Sequence, residues 1–247
     1  MAFVGSDQSD PTAAFRSLPG PAAAAARVRL SGTVWRRVFG AETAYRGFYA
    51  SGVLLGRIGI TANSLTYLSV VFAIGSAVAA ATGLFALAGV AVIFAGLCDA
   101  LDGIVARTTG TVSPYGALLD STVDRVVDAL PLLGLMLFYA AHPLFAIVPA
   151  IALLSAVVIP YARARAESLG AKLPSLFMRR PERVVLLIAS LLLGGVRVAP
   201  GESAPLLLGG IALLSVLSIV GGVALLRAAH RTLSPRPSAA SSSDVSS

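Results

Sequence analysis

Long apolar runs alternate with short polar breaks along most of the chain. Six runs approach the roughly 20 residues that an α-helix needs to cross a bilayer. They lie at about 63–82, 84–106, 115–140, 143–166, 182–199 and 204–230. Turn formers cluster between them, at Thr82-Gly83, Gly110 to Pro114, His142-Pro143, Gly170 to Pro181 and Ala199 to Ser203. The pattern predicts an all-α, polytopic membrane protein with six transmembrane helices, occupying 59–232. Residues 1–58 form an N-terminal cytoplasmic juxtamembrane arm that could hold an interfacial helix, and the Ser- and Pro-rich 233–247 a disordered tail. Within the arm, Trp35, Val38, Phe39 and Tyr49 fall near one helical face, but Glu42 and Arg46 project onto the same stripe. That argues against a single clean amphipathic helix and leaves Trp35 as an interfacial anchor.

Composition sharpens the class. Of 247 residues 56% are hydrophobic and only 13% charged, with a mean hydropathy of +0.84, too little polar surface to cover a water-exposed globule. The 24 glycines suit closely packed membrane helices, and the single Cys98 forms no internal bridge. No basic stretch precedes an apolar core in the first 30 residues, so no secretory signal is expected. The net charge of +7 comes from 19 Lys and Arg against 12 Asp and Glu. No basic patch is interleaved with stacking aromatics, so nucleic acid is not an expected partner. The basic residues act as an orientation signal. Seven arginines precede the first run, Arg107 lies between the second and third, six basic residues lie from Arg163 to Arg183, and three from Arg227 onward. The opposite face offers only Arg197, so both termini are expected on the cytoplasmic side of the cell membrane.

Five of the 12 acidic residues fall between Asp99 and Asp128, in or at the ends of two membrane runs, where a lone carboxylate costs several kcal/mol. Asp99 and Asp102 are spaced i, i+3 and Asp120 and Asp124 i, i+4, so each pair shares a helical face. Antiparallel helices joined by a short turn would bring the pairs to one depth. Four converging carboxylates make an all-oxygen site for a hard cation, Mg2+ or Mn2+, with no Cys or His to favour zinc. Between the pairs lie Gly103, Ala106, Arg107 and Gly116: small residues permit close approach to the backbone, and Arg107 offers a guanidinium fork for phosphate. Carboxylates, divalent metal and this approach point to phosphoryl chemistry.

The run Asp99-x2-Asp102-Gly103-x2-Ala106-Arg107-x8-Gly116-x3-Asp120-x3-Asp124 resembles the signature of the CDP-alcohol phosphatidyltransferases, matching all eight fixed residues over 26 positions. Upstream, Thr61-Ala62-Asn63-Ser64-Leu65-Thr66 is similar to the family's Thr-Pro-Asn-x-Leu-Thr, with Ala62 in place of the proline. The resemblance implies a membrane enzyme in which an alcohol displaces CMP from a CDP-linked lipid, CDP-diacylglycerol. It implies two metal ions on Asp99, Asp102 and Asp120, with Asp124 completing the cluster and acting as general base. It implies Gly103, Ala106, Arg107 and Gly116 around the cytidine nucleotide, and a homodimer. Asp128 continues the carboxylate face outside the signature, as a structural carboxylate paired with Arg125 at i−3. A buried ion-pair network, a cation transporter or a catalytically silent scaffold would not require Gly, Ala and Arg at these offsets.

The basic stretch after the fourth run suits an acceptor that carries phosphate. Tyr161-Ala162-Arg163-Ala164-Arg165-Ala166-Glu167 and Arg180-Pro181-Glu182-Arg183 resemble elements of the phosphatidylinositol-phosphate and archaetidylinositol-phosphate synthases of that family. By this resemblance Arg163, Arg183 and Arg227 would bind the phosphate of inositol 1-phosphate, ahead of Arg165, Arg179 and Arg180. Glycerol 3-phosphate, giving a phosphatidylglycerophosphate synthase, is the alternative acceptor. His142, His230 and Cys98 have no metal-like spacing, and Gly52-x3-Gly56 is a common small-residue pattern that assigns no function.

Overall fold

The structure, a computed structural model, describes residues 41–174, 178–195 and 204–234. Among these, α-helix is the only regular element: α1 Ala41–Arg57, α2 Ala62–Ala81, α3 Phe85–Thr108, α4 Pro114–Phe138, α5 Pro143–Ser168, α6 Arg180–Gly194 and α7 Pro205–Leu233. Trp35, Val38, Phe39, Arg197, the break at 199–203 and the tail from 235 lie outside the described residues.

Local chemistry sets the helix ends. Thr61 caps α2, its Oγ1 accepting the Ser64 backbone N–H at 3.2 Å, so the start holds without the proline that Ala62 replaces. Gly110 closes α3 with φ +69°, and the Thr111 N–H donates to the Ala106 carbonyl at 3.0 Å, the bond pattern of a Schellman C-cap. Two residues on, Ser113 caps α4 by accepting the Gly116 N–H at 3.0 Å, and Pro114 opens the helix where its missing N–H costs nothing. The chain therefore reverses tightly between the two carboxylate pairs.

Among the described residues, four helices are long and apolar enough to cross a membrane: α2, α3, α5 and α7. The other two expected spans fall short by that measure, for different reasons. In α4 the residues Asp120, Asp124, Arg125 and Asp128 crowd charge into one stretch, whereas α6 has only 15 residues, about 22 Å of helix. The arm, read as unsuited to a clean amphipathic helix, is helical from Ala41 to Arg57. Its stripe is set by residues downstream of the aromatic cluster: Leu54 and Ile58 are exposed and Gly52 is buried.

The described residues divide into two compact units, those up to Phe72 with Ile93–Asp124, and Ala73–Val92 with those from Arg125 onward. In the first, Gly52 and Gly56 of α1 lie on α3. A Cβ on Gly52 would stand 2.5 Å from Ile104 Cγ2, and one on Gly56 2.9 Å from Thr109 Cγ2. Here the small-residue spacing does seat one helix on another. In the second, α5 and α6 both pack on α7 around a core that includes Leu132, Leu135, Leu187, Leu191, Leu207, Ile211 and Leu214. The buried Ser215 hydroxyl ties α7 to α5 through the Val148 carbonyl at 3.2 Å.

Candidate active site

The end of α3 and the start of α4 bring the signature together. Asp99, Asp120 and Asp124 each offer a carboxylate oxygen within 4.8 Å of the others. Asp102, one turn after Asp99, is buried and accepts the Thr66 hydroxyl at 2.7 Å. Thr66 Oγ1 also donates to the Ala62 carbonyl of its own helix at 3.1 Å, so α2 holds the carboxylate from the side. Asp124 buries its Oδ1 with no hydrogen bond on it. Oxygens packed this closely repel one another. A hard divalent cation removes that penalty, and the donor set, carboxylate throughout, is the one such ions select.

Beside the carboxylates opens a cleft of about 280 Å³. Gly103, Ala106, Arg107 and Gly116 all line it, with Asp102 and Asp120. Ala62, Asn63 and Thr66 from the start of α2, and Thr111, Val112, Ser113 and Ala117 around the turn, complete it. Sequence reasoning gave the α2 residues no role. The Thr61 to Thr66 similarity was the available signal, and its use is now visible: the capped first turn of α2 forms one wall.

The second unit holds a basic cleft of about 450 Å³ lined by Arg163 of α5 and by Arg179, Arg180 and Arg183 at the start of α6. Ile159, Pro160, Met178, Pro181, Gly221 and Leu225 supply the rest of its wall. Arg163 and Arg183 thus meet in one cleft, as their expected role needs. Arg227 lines a different, shallow cleft on α7 with Val223, Leu226, His230 and Arg231. Its position near the end of a single long helix, one turn before Arg231, accounts for that separation. Asp128 makes ion pairs across to α6. Arg180 Nε donates to its two oxygens at 3.2 and 3.4 Å, and Arg183 Nη2 stands 3.9 Å away.

Comparison with known proteins agrees with this chemistry. The sequence profile of the CDP-alcohol phosphatidyltransferases matches residues 59–226. The phosphatidylinositol phosphate synthase of Mycobacterium tuberculosis is 35% identical over 183 residues, 69% of this chain and 79% of that protein. An Aquifex aeolicus protein is 40% identical over 110 residues, 44% of this chain and 56% of its own length. The archaetidylinositol phosphate synthase of Aeropyrum pernix is 44% identical over 97 residues, 38% of this chain and 47% of that protein. Among solved structures, the mycobacterial synthase with CDP-DAG bound superposes with a TM-score of 0.68 at 28% identity, covering 78% of this chain and 99% of that one. The same protein in complex with manganese and citrate gives 0.68 at 28% identity, over 77% and 93%.

Proposed function

Because the chain belongs to the CDP-alcohol phosphatidyltransferase family, we propose that this multi-pass membrane transferase makes phosphatidylinositol phosphate. It transfers the phosphatidyl group of CDP-diacylglycerol to inositol 1-phosphate and releases CMP. One observation carries the donor half: every small or basic residue of the signature lines the same cleft as Asp102 and Asp120. Gly103, Ala106 and Gly116 let the cytidine diphosphate approach the backbone, and Arg107 pairs with its phosphate oxygens. Asp99, Asp102, Asp120 and Asp124 hold two Mg2+ or Mn2+ ions, which when bound neutralise charge on the diphosphate.

The reaction is a substitution at the phosphorus that carries the diacylglycerol. Asp124 accepts the proton of the acceptor hydroxyl as its oxygen forms the new bond. The bond from that phosphorus to the bridging oxygen breaks, and CMP leaves with the electron pair. The acceptor's own phosphate is held by Arg163 and Arg183 in the basic cleft. Four arginines around about 450 Å³ favour an anionic polyol over serine or a second lipid. Supporting the topology, α4 and α6 complete a six-span domain with both termini and the active site cytoplasmic, the arrangement that the arginine distribution favours. The working unit is a homodimer, as the family resemblance implies.

The test is an acceptor panel. Purified enzyme given CDP-diacylglycerol should release CMP with inositol 1-phosphate and far more slowly with unphosphorylated inositol. Turnover of glycerol 3-phosphate without turnover of inositol 1-phosphate would replace the acceptor. Equal rates with phosphorylated and unphosphorylated inositol would remove the phosphate site altogether.

A further inference from the structure

The first turn of α6 carries Arg180 and Arg183 at i, i+3, on one side of the helix. Ahead of it Met178, buried in the wall of the basic cleft, adopts φ 61°, a left-handed conformation that an unbranched residue occupies only when its surroundings hold it there. The start of α6 is therefore a constrained structure, not a loose loop bearing charges. Onto it projects one carboxylate from another helix, that of Asp128, whose side chain is only 10% exposed.

The placement of this carboxylate runs against simple electrostatics. A cleft that binds phosphate by accumulated positive charge would gain from having no anion behind its arginines, because a nearby carboxylate repels the ligand. Asp128 nevertheless takes Arg180 Nε on both oxygens, at 3.2 and 3.4 Å, and lies 3.9 Å from Arg183 Nη2. A cavity of about 20 Å³, room for a single water, is lined by Asp128 and Arg183 together with apolar side chains such as Leu132 and Leu187 and the buried Ser218. With the Asp128 side chain this little exposed, water competes weakly for its oxygens, so the pair orients its partners firmly. Two other acids lie in this region: Glu167 pairs with Arg163 at 3.0 Å but is half exposed, a setting in which such pairs hold little, and Glu182, in the first turn of α6 itself, buries its Oε2 without a hydrogen bond.

We propose that Asp128 is a positioning residue for the acceptor: by gripping Arg180 at Nε and standing against Arg183, it fixes the planes of these guanidiniums in the orientation that receives the acceptor's phosphate. The inference rests on the reading of the basic cleft as the acceptor site. Its two physical effects have opposite signs. As a charge, Asp128 weakens anion binding; as an anchor, it prepays the ordering of long arginine side chains. The proposal is that the second effect wins.

The experiment uses the full-length protein and whichever phosphorylated acceptor the wild type turns over, so the wild type alone decides the substrate and the variants decide the role of Asp128. Asp128→Asn should raise the acceptor KM roughly tenfold, with the KM for CDP-diacylglycerol unchanged. Asp128→Glu, which retains the charge, should recover most of the loss. In an Arg180→Gln background Asp128→Asn should add little, because the two act as one unit. An acceptor KM that is unchanged or lowered in Asp128→Asn would overturn the proposal, the latter showing that charge dominates. So would losses in both substrates' KM that track a fall in thermal stability. Should Asp128→Asn not fold, Arg180→Lys keeps the charge and loses Nε: a raised acceptor KM supports the anchor, and a wild-type value overturns it.

Discussion

Asp99, Asp120 and Asp124 crowd three like charges within 4.8 Å, and Arg163, Arg179, Arg180 and Arg183 gather four around one cleft. The two groups are relieved of repulsion by different means. Around the carboxylates the protein supplies the Thr66 hydroxyl to Asp102, and a bound metal ion would add counter-charge. Among the arginines it builds in Asp128. On the proposed reading the first arrangement works only once a metal ion is bound, and the second is organised beforehand to receive a phosphate. Removing the outside counter-charge should therefore stop the enzyme, whereas disturbing the arginines should only make the acceptor harder to capture.

The largest effect should come from chelation. In EDTA activity should vanish and return on addition of Mg2+ or Mn2+, and Asp99→Asn or Asp102→Asn should shift that return to higher metal concentration. Full turnover in chelator would erase the distinction between the two regions. Next in size is Asp124→Asn, which should lower kcat by roughly 10²- to 10⁴-fold while CDP-diacylglycerol binding survives. A parallel loss of CDP-diacylglycerol affinity would make Asp124 chiefly a metal ligand.

The two regions also differ in how far they could be read from sequence. The carboxylate site is nearly contiguous: helical spacing puts each pair on a face, and Gly110, Ser113 and Pro114 spell the reversal between them. The arginine cleft draws on α5, the start of α6 and α7, and its counter-charge on α4, partners far apart in the chain. Helical periodicity offered Asp128 only its neighbour Arg125; the bond to Arg180, 52 residues on, follows from tertiary packing that no local pattern encodes. Arg227 illustrates the same limit. The family resemblance marked it, and in the fold it lines a shallow cleft with His230 and Arg231. The helices themselves were legible because apolar runs and turn formers fix them locally. Charge within α4 and the brevity of α6 hid how those two meet the bilayer.

Within the arginine cleft the two assigned phosphate ligands should behave differently. Arg163 is 36% exposed and Arg183 9%, the latter against Asp128. Arg163→Ala should raise the acceptor KM about 10- to 150-fold, the loss of about 1.5 to 3 kcal/mol for a charge-assisted bond, with the melting temperature unchanged. Arg183→Ala should raise the acceptor KM as well and also lower the melting temperature, because it thins the counter-charge on a buried carboxylate. Equal melting temperatures would mean that Asp128 is satisfied without Arg183.

The smallest expected effect sharpens the carboxylate side. Thr66 lies on a helix that contributes none of the signature, yet its hydroxyl donates to Asp102 at 2.7 Å. A hydroxyl bonded to a carboxylate oxygen fixes which way that carboxylate faces, and such supporting bonds are worth at least about tenfold in metal affinity. Thr66→Val removes the donor and keeps the shape. The Mg2+ or Mn2+ concentration for half-maximal activity should rise roughly tenfold, while kcat at saturating metal stays near wild type, since Asp99, Asp120 and Asp124 are untouched. A rise of this size would show that the carboxylates too are partly organised before the metal arrives, narrowing the contrast with the arginines. An unchanged metal requirement would confine Thr66 to its bond with the Ala62 carbonyl, and leave the carboxylates dependent on the ion alone.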